Sequence, residues 1–192
     1  MNEQDYEYQN DGPFDASQVE INDSFIDFGS ILVPKSIPDM AVRVEVEESS
    51  GRLVAVSLEV ENSLLQISAF SAPKTMPIWD EVADQLFESL TSQGAQAERT
   101  EGAFGTSILA TMPASDEPPM PARQHKFFGS DGPRWFLRGI LSGQALHDEA
   151  TAVVLDNVFR QIVVNRGDEA LPPRELLTLV MPAGNVAPPR SV

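Results

Sequence analysis

A period of two runs through residues 42–47, where three valines alternate with Arg43, Glu45 and Glu47. This alternation sends successive side chains to opposite faces, so it predicts a strand with one buried face. A turn at 49–51 follows, and a similar alternation returns at 54–60 and 65–69. Three consecutive segments of this kind predict an antiparallel meander.

Apolar residues recur at helical spacing in two later segments. The first extends from Ile78 to Leu90 and ends before Gly94, with Thr75 placed to cap its N-terminus. The second begins near Asp148, a residue type that caps helices. Its predicted buried stripe consists of Val153, Val154, Val158, Phe159 and Ile162. Between the two helices, strands are predicted at 95–100, 104–111, 123–128 and 134–141.

The repeated order of strands followed by a helix predicts one α+β domain. We expect a mostly antiparallel sheet of about seven strands with two packed helices. The 192 residues are enough for a single hydrophobic core. We predict an acidic, partly disordered N-terminal arm at 1–30, the α+β domain at 31–168 and a Pro-rich C-terminal extension at 169–192. Residues 1–34 contain eight acids and no Lys or Arg, a composition that disfavours a packed core.

Composition excludes several classes of function. A net charge of −16 disfavours general binding to nucleic acid and to anionic membranes, since both depend on cationic side chains. The absence of Cys excludes disulfides and thiolate metal sites, and no apolar run is long enough for a membrane span. No serine lies in a Gly-x-Ser-x-Gly motif, and the loop at 102–107 lacks the lysine of a phosphate-binding motif. We therefore expect a cytoplasmic, non-enzymatic protein without cofactor or metal.

Basic residues are concentrated in one predicted hairpin. Four of the 13 Lys and Arg residues fall between Arg123 and Arg138, against the single acid Asp131. A connection of four residues at 130–133 would pair Phe127 with Phe136. The same register would pair His125 with Arg138 and Arg123 with Ile140. The face that it predicts toward water contains Arg123, His125, Phe127, Arg134, Phe136 and Arg138. The face that it predicts toward the core contains Phe128, Trp135, Leu137 and Leu141.

Basic and aromatic side chains on one face suit an anionic partner. Our leading hypothesis is a binding or adaptor domain that contacts an anionic protein through this face. An alternative is a small-ligand domain for phosphate or nucleotide, or an enzyme that uses the same face. A third is a structural partner of a basic protein through the helix stripe of Asp80, Asp84 and Glu88. The face is also compatible with an ordinary solvated strand, because arginine stems often cover aromatic surface.

Several short segments together resemble a known family. They are GPFD at 12–15, DFGSILVP at 27–34, WDEV at 79–82, DGPRWFLRG at 131–139 and PPRELL at 172–177. As a set they resemble an actinobacterial family of unknown function, domain of unknown function thirty-seven-ten, over about residues 12–182. The resemblance implies a bacterial cytoplasm, and it brings no established activity, cofactor or catalytic residue.

Overall fold

The computed structural model describes residues 11–36, 39–184 and 186–192. The two helices are α1 (Trp79–Ser92) and α2 (Glu149–Arg160). The strands are β1 (Phe14–Asp15), β2 (Phe25–Asp27), β3 (Ile31–Pro34), β4 (Ala41–Val46), β5 (Leu53–Val60), β6 (Ser63–Ser71), β7 (Gln96–Gly102), β8 (Gly105–Met112), β9 (Ser115–Asp116), β10 (Pro119–Met120), β11 (Arg123–Gly132), β12 (Trp135–Gly143), β13 (Val163–Val164) and β14 (Arg190–Ser191).

One large sheet dominates the molecule. Its eight strands have the order β14-β4-β5-β6-β12-β11-β8-β7, and every pair is antiparallel except β14 with β4. A smaller sheet with the order β1-β13-β3-β2 joins the N-terminal segment to the strand after α2. The predicted α+β class, with a mostly antiparallel sheet and two helices, is confirmed, and the meander of β4, β5 and β6 is present as expected.

The two helices cover opposite faces of the large sheet. Alternate residues of β12 divide between two hydrophobic clusters: Trp135 and Leu137 pack with α2, whereas Phe136 packs with α1. This division follows from the period of two, since neighbouring side chains of a strand point to opposite faces. The larger cluster also includes Phe128 and Leu141, as the sequence predicted.

The N-terminus of α1 is capped from the sheet and not from its own sequence. Asp131 on β11 accepts hydrogen bonds from the backbone N–H groups of Ile78 and Trp79, at 2.9 and 3.1 Å. The expectation that Thr75 caps this helix is wrong, because α1 begins only at Trp79 and a residue of the sheet supplies the acceptor. A carboxylate at this end also complements the helix dipole.

Helix α2 begins as predicted, but it buries a different face from the predicted one. The Asp148 side chain accepts a hydrogen bond from the Thr151 N–H at 3.1 Å, which confirms the predicted cap. Val153 and Val154 are exposed, so their assignment to the buried stripe is wrong. The buried helix residues are Thr151, Leu155, Val158 and Phe159. This spacing of four, three and one is that of a helix with one apolar face.

The predicted register of the β11–β12 hairpin is also wrong. Gly132 pairs with Trp135, so the turn contains only Pro133 and Arg134, and Phe127 lies opposite Ile140 instead of Phe136. Proline sets the first turn position, and Arg134 adopts a φ of 65° at the second, which permits the short connection. The shift is an even number of residues, so the predicted division of side chains between the two faces is retained.

Both ends of the described chain contact the domain. Trp135 donates a hydrogen bond from Nε1 to Asp15 Oδ2 at 2.8 Å, and Leu177 N donates to the carbonyl of Ala69 at 2.9 Å. The arm that was predicted to be partly disordered, at 1–30, includes residues 1–10, which lie outside the described residues. The three-part division of the chain stays a prediction. Across the described ranges, neither helix has the length and apolar character needed to cross a membrane.

Candidate anion-binding site

Helix α1 covers only part of its face of the large sheet. We call the covered part the closed half, and it contains Phe70, Ala97, Ile108, Ala110, Phe127 and Phe136. We call the remainder the open half, and the strand registers place Arg43, Glu45, Ser57, Glu59, Gln66, Ser68, Arg123, His125, Arg138 and Ser142 there. The closed half is apolar, whereas the open half is mainly polar, although Ala55, Leu64 and Ile140 also lie on it.

The closed half is packed around two aromatic rings. Phe136 is 2% exposed, and its ring stacks on Phe70 with centroids 4.9 Å apart. The Trp79 ring of α1 lies 6.2 Å from the Phe136 ring. A Cβ placed on Gly129 would lie only 2.4 Å from the Trp79 ring, so glycine is needed for the helix to approach the sheet. Phe136 is therefore a core residue, and the prediction that it faces water is wrong.

The open half is curved around a cavity of about 570 Å³. Residues of β14 and β11 both line this cavity, although four strands lie between them in the sheet. A flat sheet would separate those two strands by about 24 Å, so the sheet must curl to bring them to one cavity. A bulge in β5 next to the Glu45–Val46 segment of β4 helps this curvature, since bulges bend a strand and increase its twist.

The cavity wall is basic in an acidic chain. Its charged side chains are Arg123, Arg190 and, when protonated, His125. Among the described residues that line the cavity none is Asp or Glu, although the chain contains 29 acids. Gln66 and Ser142 add uncharged polar groups to the same wall. The cavity can therefore offer several donors to one negatively charged group.

An ion-pair network fixes the C-terminal strand beside the cavity. Glu59 accepts hydrogen bonds from Arg43 at 3.0 Å and from Arg190 at 3.4 Å. Arg43 also donates from Nη1 to the carbonyl of Pro188 at 3.3 Å. This network holds Arg190 at the cavity while nearly half of its side chain stays exposed.

A buried carboxylate lies near the same wall. Glu45 is 1% exposed, and its Oε2 accepts a hydrogen bond from Gln66 Nε2. Its second oxygen, Oε1, has no hydrogen-bond partner. Gln66 is thus the link between a buried acid and the cavity.

Burial and charge shift the pKa of His125. Its environment is partly buried, and this burial, followed by the neighbouring positive charge of Arg123, holds the pKa of His125 below its usual 6.5. The imidazole is therefore neutral at pH 7 in the absence of ligand. An anion in the cavity would oppose this shift, because a nearby negative charge favours the protonated form.

Arg138 marks the boundary between the two halves. Its guanidinium lies 4.9 Å above the centroid of Phe70, which belongs to the closed half. Burial lowers the pKa of Arg138 below its usual value, and its Nε has no hydrogen-bond partner. Stacking on an aromatic face offsets part of the loss of hydration.

The structure brings only part of the predicted site together. Arg123 and His125 both line the cavity. Phe127 and Phe136 pack with α1, and Arg138 lies at the boundary. Arg134 is in the hairpin turn, where its carbonyl accepts a hydrogen bond from Arg166 Nε at 3.2 Å, and it does not line the cavity.

Sequence reasoning missed Arg43, Glu45, Gln66 and Arg190. The alternation at 42–47 correctly gave Arg43 and Glu45 a common face, but that face was taken as solvated. Arg190 lies in a terminal segment whose two-residue pairing with β4 leaves no period to detect. Only the sheet curvature brings these residues near Arg123.

One member of the acidic stripe of α1, Asp84, forms an ion pair. Asp84 pairs with Arg99 at 2.7 Å, and the adjacent Glu81 pairs with Arg174 at 2.7 Å. Within the ranges that the structure describes, no group of three or more His, Asp or Glu side chains is arranged to hold a metal ion.

Comparison with known proteins gives a family and no relative of established activity. A family model described as "Protein of unknown function (DUF3710)" matches residues 12–187. The match agrees with the resemblance of the short segments in the sequence. No curated protein and no solved structure matches the chain.

Proposed function

We propose that this chain, which belongs to the DUF3710 family of proteins of unknown function, binds a small anionic ligand in the open-half cavity. The observation that carries the proposal is a cavity wall with two arginines and one histidine and, among the described residues, no Asp or Glu side chain, in a chain of net charge −16. Guanidinium groups bind phosphate and carboxylate through paired, charge-assisted hydrogen bonds. Arg123 and Arg190 hold the anion from opposite strands, and His125 lies beside it.

The shape of the site favours a small ligand over a protein surface. A volume of about 570 Å³ lies within the usual range of ligand cavities. The surface first predicted for a partner depended on Phe136, which is buried beneath α1. A role for Asp80, Asp84 and Glu88 with a basic protein stays a prediction that no observation here favours.

The cavity supports binding better than catalysis. His125 lies directly opposite Ser142, a pair that resembles the base and nucleophile of a hydrolase. However, no hydrogen bond joins the two side chains, and no described acid of the cavity wall orients the imidazole as a catalytic triad requires.

Thermal shift and isothermal titration calorimetry test the proposal. Inorganic phosphate, ribose 5-phosphate and adenosine monophosphate are the probes, and at least one should raise the melting temperature in a concentration-dependent manner. Arg123→Ala and Arg190→Ala should each weaken its binding about tenfold or more, because each removes a charge-assisted hydrogen bond.

Arg99→Ala is the matched control. The Arg99 side chain is 50% exposed and pairs with one acid, whereas that of Arg190 is 47% exposed and also pairs with one acid. Arg99 lies on β7 and does not line the cavity. Equal loss of binding in Arg99→Ala and Arg190→Ala, or no thermal shift with any of the three probes, would contradict the proposal.

A further inference from the structure

Unpaired buried polar atoms are concentrated in the open half. Five such side-chain atoms occur in the described part of the chain, and four of them lie on this half of one sheet face. They are Arg43 Nε, Glu45 Oε1, Ser57 Oγ and Arg138 Nε. More than nine in ten buried polar groups in proteins have a partner, so a cluster of four requires a physical explanation.

Two of the four atoms can accept a hydrogen bond next to the cavity wall. Gln66 lines the cavity, Ser57 pairs with it directly across β5 and β6, and Glu45 accepts its amide hydrogen bond. Ser57 is 0% exposed and Glu45 is 1% exposed, so neither is satisfied by bulk water. A carboxyl oxygen that bears no proton accepts hydrogen bonds, so a ligand hydroxyl would be a suitable donor to Glu45 Oε1.

The cavity therefore combines two kinds of group. Arg123 on β11, Arg190 on β14 and His125 supply donors and positive charge. Gln66 lies on β6, between those two strands in the sheet, where it donates to Glu45 and pairs with Ser57. A flexible amide side chain can rotate, and a ligand hydroxyl could then take its place as the donor to Glu45.

Resting on the proposed function, we propose that the ligand is a phosphate ester that carries free hydroxyl groups, of the sugar-phosphate or polyol-phosphate class. Its phosphate binds Arg123 and Arg190, and its hydroxyls donate to Glu45 and Ser57. A bare anion satisfies only the basic side chains, whereas a hydroxylated ester also satisfies the unpaired acceptors. The cavity volume of about 570 Å³ is also larger than a single phosphate ion needs.

Calorimetry with two esters of equal charge tests this assignment. The probes are ribose 5-phosphate and butyl phosphate, which share the phosphate and differ in the hydroxyls. Wild-type protein should bind ribose 5-phosphate about tenfold more tightly or better, as expected for added hydrogen bonds to buried acceptors. Glu45→Gln and Ser57→Ala should each reduce this preference, measured in each variant as the ratio of the affinities for the two esters.

Ser30→Ala is the matched control variant. Ser30 Oγ is the fifth unpaired buried atom, it is 6% exposed, and it lies outside the open half. This variant should keep the full preference for ribose 5-phosphate. Glu45→Gln nearly preserves the shape of the side chain, and Ser57→Ala removes one oxygen only, so we expect both variants to fold. Each variant changes a different acceptor and therefore gives an independent test.

The outcomes separate this inference from the proposed function. Binding of both esters with equal affinity, or a preference that survives both Glu45→Gln and Ser57→Ala, would leave the anion site intact and overturn the assignment of hydroxyl recognition. Buried water would then account for the unpaired atoms. Failure of both esters to bind, while inorganic phosphate or adenosine monophosphate still binds, would overturn this inference alone. Failure of all of these probes would overturn the anion site itself, and with it this inference.

Discussion

The closed and open halves belong to the same sheet face, yet they differ in polarity and in their cover. The closed half is apolar and lies beneath Trp79 of α1, whereas the open half has buried Glu45 and Ser57 and is not covered by α1. On β12, Phe136 belongs to one half and Ser142 to the other. The difference shows that one continuous strand provides stability at one end and a candidate site at the other.

Gly129 and Arg138 maintain the difference between the closed and the open half. Gly129 allows the Trp79 ring to reach the sheet, because any side chain there would overlap the ring. Arg138 stacks over Phe70 at the boundary and ends the apolar surface with a charge. Beyond it, an apolar helix face would bury the arginines and glutamates of the open half without partners, which is unfavourable.

The largest expected effect is the loss of stability that follows removal of the Phe136 ring. Phe136→Ala leaves a cavity beneath α1 and should lower the free energy of unfolding by about 3–5 kcal/mol, measured by urea denaturation. Phe136→Leu should cause a smaller loss and keep the domain folded at 25 °C. In that variant the affinity for the anionic probe should be unchanged, because Phe136 lies in the closed half.

Val153→Ala is the control for this prediction. Val153 is exposed on α2, so its truncation should change the free energy of unfolding by less than about 0.5 kcal/mol. A loss at Phe136 as small as that at Val153 would show that the closed half is not a packed core.

A smaller effect is expected at the junction between α1 and the closed half. Asp131→Ala leaves the N–H groups of Ile78 and Trp79 without their acceptor and should cost about 1 kcal/mol of stability. Asp131→Asn keeps one acceptor oxygen, so its loss at neutral pH should be smaller.

The pH dependence of stability distinguishes the charged from the neutral cap. Burial raises the pKa of Asp131 above 3.8, and the two backbone N–H donors oppose this only in part. The folded state then binds the Asp131 proton more tightly than the unfolded state does. The stabilisation of the folded state by this proton is therefore complete below pH 3.8, and it is lost as the pH rises through the pKa of Asp131 in the folded state. Relative to Asp131→Asn, wild-type protein should therefore lose stability above pH 3.8 in urea titrations. A relative gain would contradict the raised pKa.

The fold was more predictable from sequence than the site. Alternation and helical spacing gave β4, β5, β6 and α1 because each pattern is local. The hairpin register could not be read from the strand pattern, because it depends on the length of the turn, which consists of Pro133 and Arg134 alone. The faces of Phe128 and Trp135 were nevertheless correct, because a shift by an even number of residues preserves the period of two.

The site could be predicted only in part because two of its determinants are tertiary. Periodicity places Arg123 and His125 on one face, and the cavity includes both. It does not specify which part of that face a helix covers, and for this reason Phe136 was assigned to water. Curvature of the sheet, which brings Arg190 to the cavity, has no signature in the strand sequences.

The smallest expected effect concerns His125, and it tests whether the charge of this residue contributes to anion binding in the open half. Its pKa lies below 6.5 through burial and then through Arg123, and the other charged side chain of the cavity wall is Arg190. Lowering the pH from 7.5 to 5.5 favours the protonated imidazole, which adds positive charge to the open half. Sulfate is the suitable anion, because its own charge stays constant over this interval. Its affinity, measured by calorimetry, should rise by roughly a few fold, as expected for one partly exposed charge.

Two variants decide whether this rise belongs to the cavity. His125→Asn removes the titrating group and should make the affinity for sulfate nearly independent of pH, whereas His147→Asn should retain the rise, because His147 does not line the cavity. An equal rise in both variants would assign the pH effect to the overall charge of the molecule. That result would remove His125 from the proposed site, and among the described lining residues the side chains of Arg123 and Arg190 would then hold the anion.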